Sequence, residues 1–208
     1  MAGNQFGDAA TVWNARFSEP DFVFGTAPNA WLAGQAHLLK PGQRALAVAD
    51  GEGRNSVWLA AQGLRVDAFD ISSVGVGKAR QLAHEAGVDV NYEVSDCEAW
   101  DWKEGAYDLV AAIFIQFACP SMRSRLFARM RDALKPGGLL ILQGYTPKQL
   151  EFGTGGPGIL ENLYTEALLR EEFAAFELLE LQAYEAVLQE GKRHAGPSAL
   201  IGMVARRP

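Results

Sequence analysis

The sequence predicts an α/β fold: a doubly wound, largely parallel sheet finished by an antiparallel strand. Three observations predict it. From Arg44 to Gly144, short apolar stretches alternate with helical stretches at the spacing of βαβ units. Residues 107–115 (YDLVAAIFI) are almost wholly apolar, as a central parallel strand covered on both faces requires. At the end of the chain two strand-like stretches return on each other through a tight turn, which makes the last pair antiparallel.

Taken in order, residues 44–49 (RALAVA) form the first strand and end in the loop Asp50-Gly51-Glu52-Gly53. Arg54 to Gln62 reads as a helix stopped by Gly63. Residues 65–70 (RVDAFD) are a second strand ending on an acid, after which Ser72 or Ser73 caps a helix to about Ala86. A third strand covers about 89–95 and is followed by Asp96. Pro120 to Leu134 is a helix closed by Lys135-Pro136-Gly137-Gly138, and 139–144 (LLILQG) is the fifth strand. A Gly-rich loop (152–158) and a helix from Thr165 to Ala175 lead into the final pair, about 176–188 and 198–205, joined by turn material from Gly191 to Pro197. With no repeat or linker, the chain reads as one domain, 1–208, with an N-terminal helical cap at 1–40.

Composition narrows the function. The 208 residues carry 19 Lys plus Arg against 25 Asp plus Glu, a net charge of −6, with 49% hydrophobic and 21% charged residues. A chain of this length buries ~70% of its unfolded surface, so one core suffices. The acidic balance, with no basic cluster longer than Arg206-Arg207, argues against a nucleic-acid partner. No apolar run approaches the ~20 residues that cross a bilayer, so no membrane partner is expected. Cys97 and Cys119 are too few for a disulfide framework and lack metal-ligand spacing. No metal is expected. The polar start, without a charged segment leading into an apolar one, points to a cytoplasmic, reducing setting. The partner class is a small molecule, and the expected state is a monomer or homodimer.

The first loop is where chemistry begins. Gly51 and Gly53 let the backbone turn sharply and approach a ligand at a helix N-terminus. A dinucleotide fingerprint would place a third glycine at Ser56, and Asp50 and Glu52 would repel a pyrophosphate; a cationic ligand would be welcomed. Asp70 ends the second strand, where a carboxylate reaches ribose hydroxyls, and Asp96 ends the third, where one accepts from an adenine amino group. The GxG loop and acids at successive strand ends favour adenosine.

Gly51-Glu52-Gly53-Arg54-Asn55-Ser56, Asp70, Asp96 and Leu134-Lys135-Pro136-Gly137-Gly138 together resemble a class I S-adenosylmethionine-dependent methyltransferase. The Gly-x-Gly-Arg-Asn-Ser run is similar to tellurite-resistance and related small methyltransferases, and Trp13-x-x-Arg16-Phe17 resembles the thiol and thiopurine branch. The resemblance covers about 10–208 and is strongest over 44–145. It implies a Rossmann-like seven-stranded sheet with an antiparallel last strand, and S-adenosyl-L-methionine as cofactor. It places Gly51 and Gly53 against the methionine part, Asp70 on the ribose, Asp96 and Cys97 at the adenine, Ile71 on the adenine face, and Ile113 beside the cofactor. The cofactor set is completed by Ala49 and Asp50 in the loop and by Trp13 and Phe17, whose i, i+4 spacing fits either a helix packed on the core or aromatics facing a sulfonium. The chain departs from the family's pattern at Ala47, where an acid is common, at Ala49, usually glycine, and at Asp50, usually cysteine or another small residue.

Ligands bind beyond the carboxyl ends of parallel strands. That edge should carry Gln116 and Phe117, then Tyr145, Thr146 and Pro147, with His194 in the last turn; His194, Tyr145 and Gln116 are the catalytic candidates. Gly153 to Gly158 could form a wall or lid, and Trp13, Phe17, Phe22, Phe24 and Trp31 of the cap could cover the site. His37 and His84 read as structural or exposed, both cysteines as small buried groups, and Trp100 and Trp102 as covering the adenine side or a neighbouring core. No Asn/Asp-Pro-Pro-aromatic run follows the fourth strand, where Ile115-Gln116-Phe117-Ala118 stands, so amine methylation is disfavoured. The expected acceptor is a thiol or a tellurite/selenite-like anion, already nucleophilic and in no need of a base. The alternatives are a non-catalytic S-adenosylmethionine-binding protein and a nicotinamide-dependent oxidoreductase.

Overall fold

The computed structural model describes residues 5–191 and 194–208, with side chains from residue 9 onward. The first four residues of the expected cap and two residues of the expected last turn lie outside the described residues.

Helix α1 (Gln5–Phe17), the short α2 (Ala30–Gly34) and a 3-10 turn (Ala36–Leu38) precede the sheet. Then follow β1 (Arg44–Val48), α3 (Arg54–Ala61), β2 (Arg65–Asp70), α4 (Ser73–Ala86), β3 (Val90–Val94), β4 (Tyr107–Ile113), α5 (Pro120–Ala133) and β5 (Leu134–Tyr145). The chain closes with α6 (Gln149–Phe152), α7 (Glu166–Glu172), β6 (Glu177–Glu190) and β7 (His194–Arg206). The seven strands form one sheet in the order β3-β2-β1-β4-β5-β7-β6. Strands β1 to β5 are parallel, and β7 runs antiparallel to both neighbours. This is the Rossmann-like seven-stranded arrangement that the sequence led us to expect.

Local chemistry explains the boundaries. The Ser72 side chain accepts from Gly75 N–H at the start of α4, and Gly87, at φ +67°, ends it. Pro120 opens α5, where its missing N–H is harmless. Thr165 Oγ1 accepts from Leu168 N–H to start α7. Helices α5 and α7 bury Leu126, Phe127, Met130 and Leu169 against Leu46, Val110 and Leu140 on one face of the sheet. Helices α2 and α3 bury Leu32 and Leu59 against Leu109 and Ile141 on the other. Strand β4 is thereby covered on both sides, as its unbroken apolar run requires. Each large side chain fully buried in this way contributes ~1.5–3 kcal/mol, so the two apolar layers dominate the fold's stability.

Three boundaries differ from expectation. Lys135 to Gly138 belong to β5 rather than to a helix stop, because Gly137 N–H donates to Arg207 O and Arg207 N–H to Gly138 O. The helix expected over 165–175 is confined to α7. The last hairpin is longer than expected: Glu190 pairs with His194, and Val187 with Pro197, so Ala195 to Pro197 are strand rather than turn. Pro197 is tolerated there because β7 pairs with β5 only from Leu200 onward.

Candidate active site

A cavity of about 400 Å³ opens over the carboxyl ends of the parallel strands, within the ~300–1,000 Å³ range of small-molecule sites. Trp13, Phe17, Ala49, Asp50, Gly51, Asp70, Ile71, Asp96, Cys97 and Ile113, all expected on the cofactor, line it. Gly53 does not. It stands at φ +93°, and a Cβ there would fall 2.7 Å from Ala79 Cβ, so this glycine lets α3 approach α4 instead of a ligand.

Asp70 organises the loop. One carboxylate oxygen accepts Gly51 N–H at 2.8 Å and the other Ser72 N–H at 2.8 Å, while burial pushes the group up to about 6 against those two bonds. Each oxygen keeps a second lone pair for a ligand hydroxyl. Asp50 also lines the cavity; burial outweighs its Ser56 hydrogen bonds and pushes it up to about 7. Glu52 is a correction: it faces away from the cavity. It accepts Val23 N–H at 2.7 Å and pairs with Lys78 at 2.7 Å, and Lys78 also donates to the Glu19 and Asp21 carbonyls. The second loop acid therefore ties the cap to α4.

Asp96 is fixed by Glu98 N–H at 2.7 Å and Ala99 N–H at 2.8 Å, and lines the cavity beside Ile71 and Cys97. Burial pushes the Cys97 thiol up to about 12, so it is an inert apolar contact. Cys119 is exposed, contrary to expectation, because it sits at the start of α5. Trp100 stacks on Phe69 at 4.6 Å in the core behind the cavity, and Trp102 donates to Cys97 O. His37 and His84 are exposed.

The cap contributes Trp13 and Phe17, stacked at 5.3 Å, and Phe24, at 6.2 Å from Phe17. Phe17 is both buried core and cavity wall, so its two readings merge. Phe22 and Trp31 lie elsewhere: Phe22 sits under Lys78, and Trp31 packs on Gly202 and Tyr184.

His194 lines the cavity between Phe24 (4.5 Å between ring centroids) and Phe114 (4.4 Å). Its Nδ1 is buried without a hydrogen bond, 3.8 Å from Glu190 Oε2. Burial, with help from the Arg54 charge and against Glu190, holds the imidazole below its usual value, so it is neutral at pH 7. Glu190 is anchored by Arg54 at 2.8 Å, by Asn29 Nδ2 at 3.0 Å and by Ala30 N–H at 3.2 Å. Burial opposes its charge, but these neighbours together with His194 bring it down to about 2.

The other two catalytic candidates do not reach the cavity. Gln116 donates to the Tyr145 and Asn162 carbonyls and accepts Tyr145 N–H, which braces the ends of β4 and β5. Tyr145 is 2% exposed, its ring against Phe114. Thr146, Pro147 and the 153–158 loop also stay off the cavity; Gly156 packs on Tyr145, and Thr154 donates to Pro197 O. Phe117 does line it. Phe24, expected as part of the cap's cover, does line the cavity, whereas sequence reasoning did not assign Arg54, Asn55, Phe114 or Glu190 to the site. For Arg54 and Asn55 the signal was present, since both stand in the quoted loop motif. Phe114 owes its place to a left-handed backbone, φ +55°, that no pattern announces.

The donor set suits one kind of ligand. Acids stand where a dinucleotide would need phosphate donors, and Ile71 and Cys97 give the cavity an apolar wall beside Asp96. Among the described residues no group of three or more His, Cys, Asp or Glu could hold a metal ion. No described helix is long and apolar enough to cross a membrane.

The seven-stranded sheet is the Rossmann-like methyltransferase fold, and the similarities to known proteins point to S-adenosylmethionine-dependent methyltransferases. Residues 45–138 match the model of a methyltransferase domain. Over 138 residues the chain is 34% identical to the ubiquinone biosynthesis O-methyltransferase of Burkholderia multivorans, a match covering 64% of this chain and 58% of the relative. The chain therefore spans less than two thirds of the length of that relative. Among solved structures, the N-methyltransferase NodS of Bradyrhizobium japonicum, in complex with S-adenosyl-L-homocysteine, superposes with a TM-score of 0.74 at 13% identity, over 96% of this chain and 98% of NodS. TehB of Haemophilus influenzae superposes with a TM-score of 0.73 at 17% identity, over 94% of this chain and 67% of TehB. Both likenesses concern the fold.

Proposed function

We propose that this protein transfers a methyl group from S-adenosylmethionine to a hydroxyl of a small, planar acceptor, an aromatic or enolic alcohol, with His194 as the base. One observation carries the reading: a neutral histidine on the cavity wall, flanked by two aromatic rings and backed by an anchored carboxylate. The O-methyltransferase relative supports it. A thiol or tellurite-like oxyanion, expected from the sequence, arrives already nucleophilic and leaves the His194–Glu190 pair without a task.

The bound cofactor supplies an electrophilic methyl group on a sulfonium. Asp70 and Asp96 hold the nucleoside. Phe24 and Phe114 confine the acceptor and exclude water, and positioning of this kind contributes up to ~7–11 kcal/mol of the barrier. His194 Nε2 accepts the hydroxyl proton, and the Glu190 carboxylate, fixed by Arg54, stabilises the imidazolium through Nδ1–H. The two unpaired cysteines favour a reducing, cytoplasmic setting.

The test is methyl transfer from labelled cofactor to a panel of catechols and enols, low-molecular-weight thiols, selenite and tellurite. Transfer to the hydroxyl acceptors is expected. The His194→Ala variant should lose roughly a hundredfold in kcat while keeping its affinity for S-adenosylhomocysteine. In the native protein, kcat/KM should rise with pH as His194 loses its proton, with an inflection below the usual histidine value, because burial disfavours the charged ring. Preferred transfer to thiols or oxyanions, at a rate indifferent to His194, would replace the hydroxyl reading. Cofactor binding without turnover on any acceptor would leave a non-catalytic binder.

A further inference from the structure

The cofactor loop carries a carboxyl, Asp50, that caps the first turn of α3 through Ser56 and also faces the cavity. Asp50 lies on the cavity wall. Its partners are neutral: Ser56 N–H is 3.3 Å from Oδ1, Ser56 Oγ–H donates to Oδ2, and Tyr92 OH stands 2.8 Å behind Ser56 Oγ on β3. The charged groups facing it are Asp70, at the end of β2, and Arg54, at the start of α3. Arg54 is already committed to Glu190 and to the Phe24 carbonyl. Among the described residues Asp50 enters no ion pair, whereas Glu52, two positions on, has Lys78. A carboxyl buried on a cavity wall without a counter-ion is unfavourable unless a ligand brings the cation.

We propose that Asp50 receives the α-ammonium at the amino-acid end of the cofactor, releasing a proton to solvent as the ligand enters and regaining it as the ligand leaves. The inference rests on the cofactor reading of the same cavity. The ammonium is favoured over the sulfonium because Asp50 adjoins Gly51, the loop residue that the cofactor reading sets against the methionine part, and both line the cavity. Burial, aided by the Asp70 charge, keeps the Asp50 carboxyl protonated up to about pH 7 in the ligand-free protein. An ammonium favours the ionised form, so below pH 7 binding must expel the proton: affinity rises with pH and levels off above it.

The test is calorimetric titration of the full chain at pH 6.5 in two buffers of different ionisation heat. The two ligands are S-adenosylhomocysteine, which keeps the ammonium, and 5′-methylthioadenosine, which shares the nucleoside and lacks the amino acid. Any proton moved at Asp70 is common to both. S-adenosylhomocysteine is expected to release about one proton more. Relative to the thioether ligand, its affinity should rise about tenfold between pH 5.5 and 6.5. In the near-isosteric Asp50→Asn both differences should vanish. Equal proton release by the two ligands in the native protein, or an undiminished difference in Asp50→Asn, would overturn the assignment. If neither ligand bound, the cofactor reading itself would fall, and this inference with it.

Discussion

Asp50, Asp70 and Asp96 each reach the cavity at or just after the end of their own strand, whereas the wall behind His194 is tied by bonds across 114 (Asn29–Gln143), 136 (Arg54–Glu190) and 161 (Asn29–Glu190) residues of sequence. The half proposed to hold the nucleoside is thus a row of local devices set side by side by a parallel sheet. The half proposed for the acceptor is a closure: the cap, the start of α3 and the β6–β7 hairpin meet over one largely buried carboxylate, Glu190. Gly191 marks the meeting, since a Cβ there would lie 2.4 Å from Val23 O. The difference teaches where change is tolerated. A local device fails alone, but a shared anchor takes its neighbours with it.

The sharpest way to break this contrast is Glu190→Ala. It strips the buried Arg54 guanidinium of its counter-ion, leaving it the Phe24 carbonyl, and leaves the Asn29 amide only Gln143; removal of one partner from a buried ion pair costs ~3–5 kcal/mol. Urea unfolding should register that loss in full; less than ~1 kcal/mol would mean that the closure is held elsewhere. Asp70→Ala tests the local half. It should weaken S-adenosylhomocysteine binding roughly ten- to a hundredfold while sparing the His194 wall, since a charged double contact is worth ~1.5–3 kcal/mol. Unchanged affinity in titration would move the ribose to another group. The smallest effect is expected from Ala49→Gly. Ala49 stands at φ +50°, where an L side chain costs ~1–2 kcal/mol, partly offset by glycine's greater freedom when unfolded. A net gain of ~0.5 kcal/mol should raise the melting temperature by ~1–2 °C. A fall would show that the Ala49 methyl, which packs on the core, is worth more than the strain.

Legibility followed the same divide. Ser72 as a cap, Gly87 as a stop and acids closing β2 and β3 could be read because a handful of neighbouring residues decides each. Glu52 could not: as a sequence letter it looks like Asp50, and only Lys78 and the Val23 N–H turn it away from the cavity. Gln116 and Tyr145 stood at the right strand ends, but the Gln116 amide is spent on the Tyr145 backbone, bracing β4 against β5, and the Tyr145 ring is buried against Phe114. His194 was expected in an open turn. Extended pairing of β6 with β7 places it at the start of a strand instead, between two rings from distant segments.

The amino-acid order by itself determined the alternation of strands and helices, the covered central strand, the sharp turn at Gly51 and the acids beside it, because propensity, capping and period act over a few residues. Which acid meets solvent, which meets a lysine and which faces the cavity was decided only when the sheet brought distant segments together. Charge and hydrogen-bond satisfaction are properties of neighbours in space, and for the wall around His194 those neighbours are more than a hundred residues away.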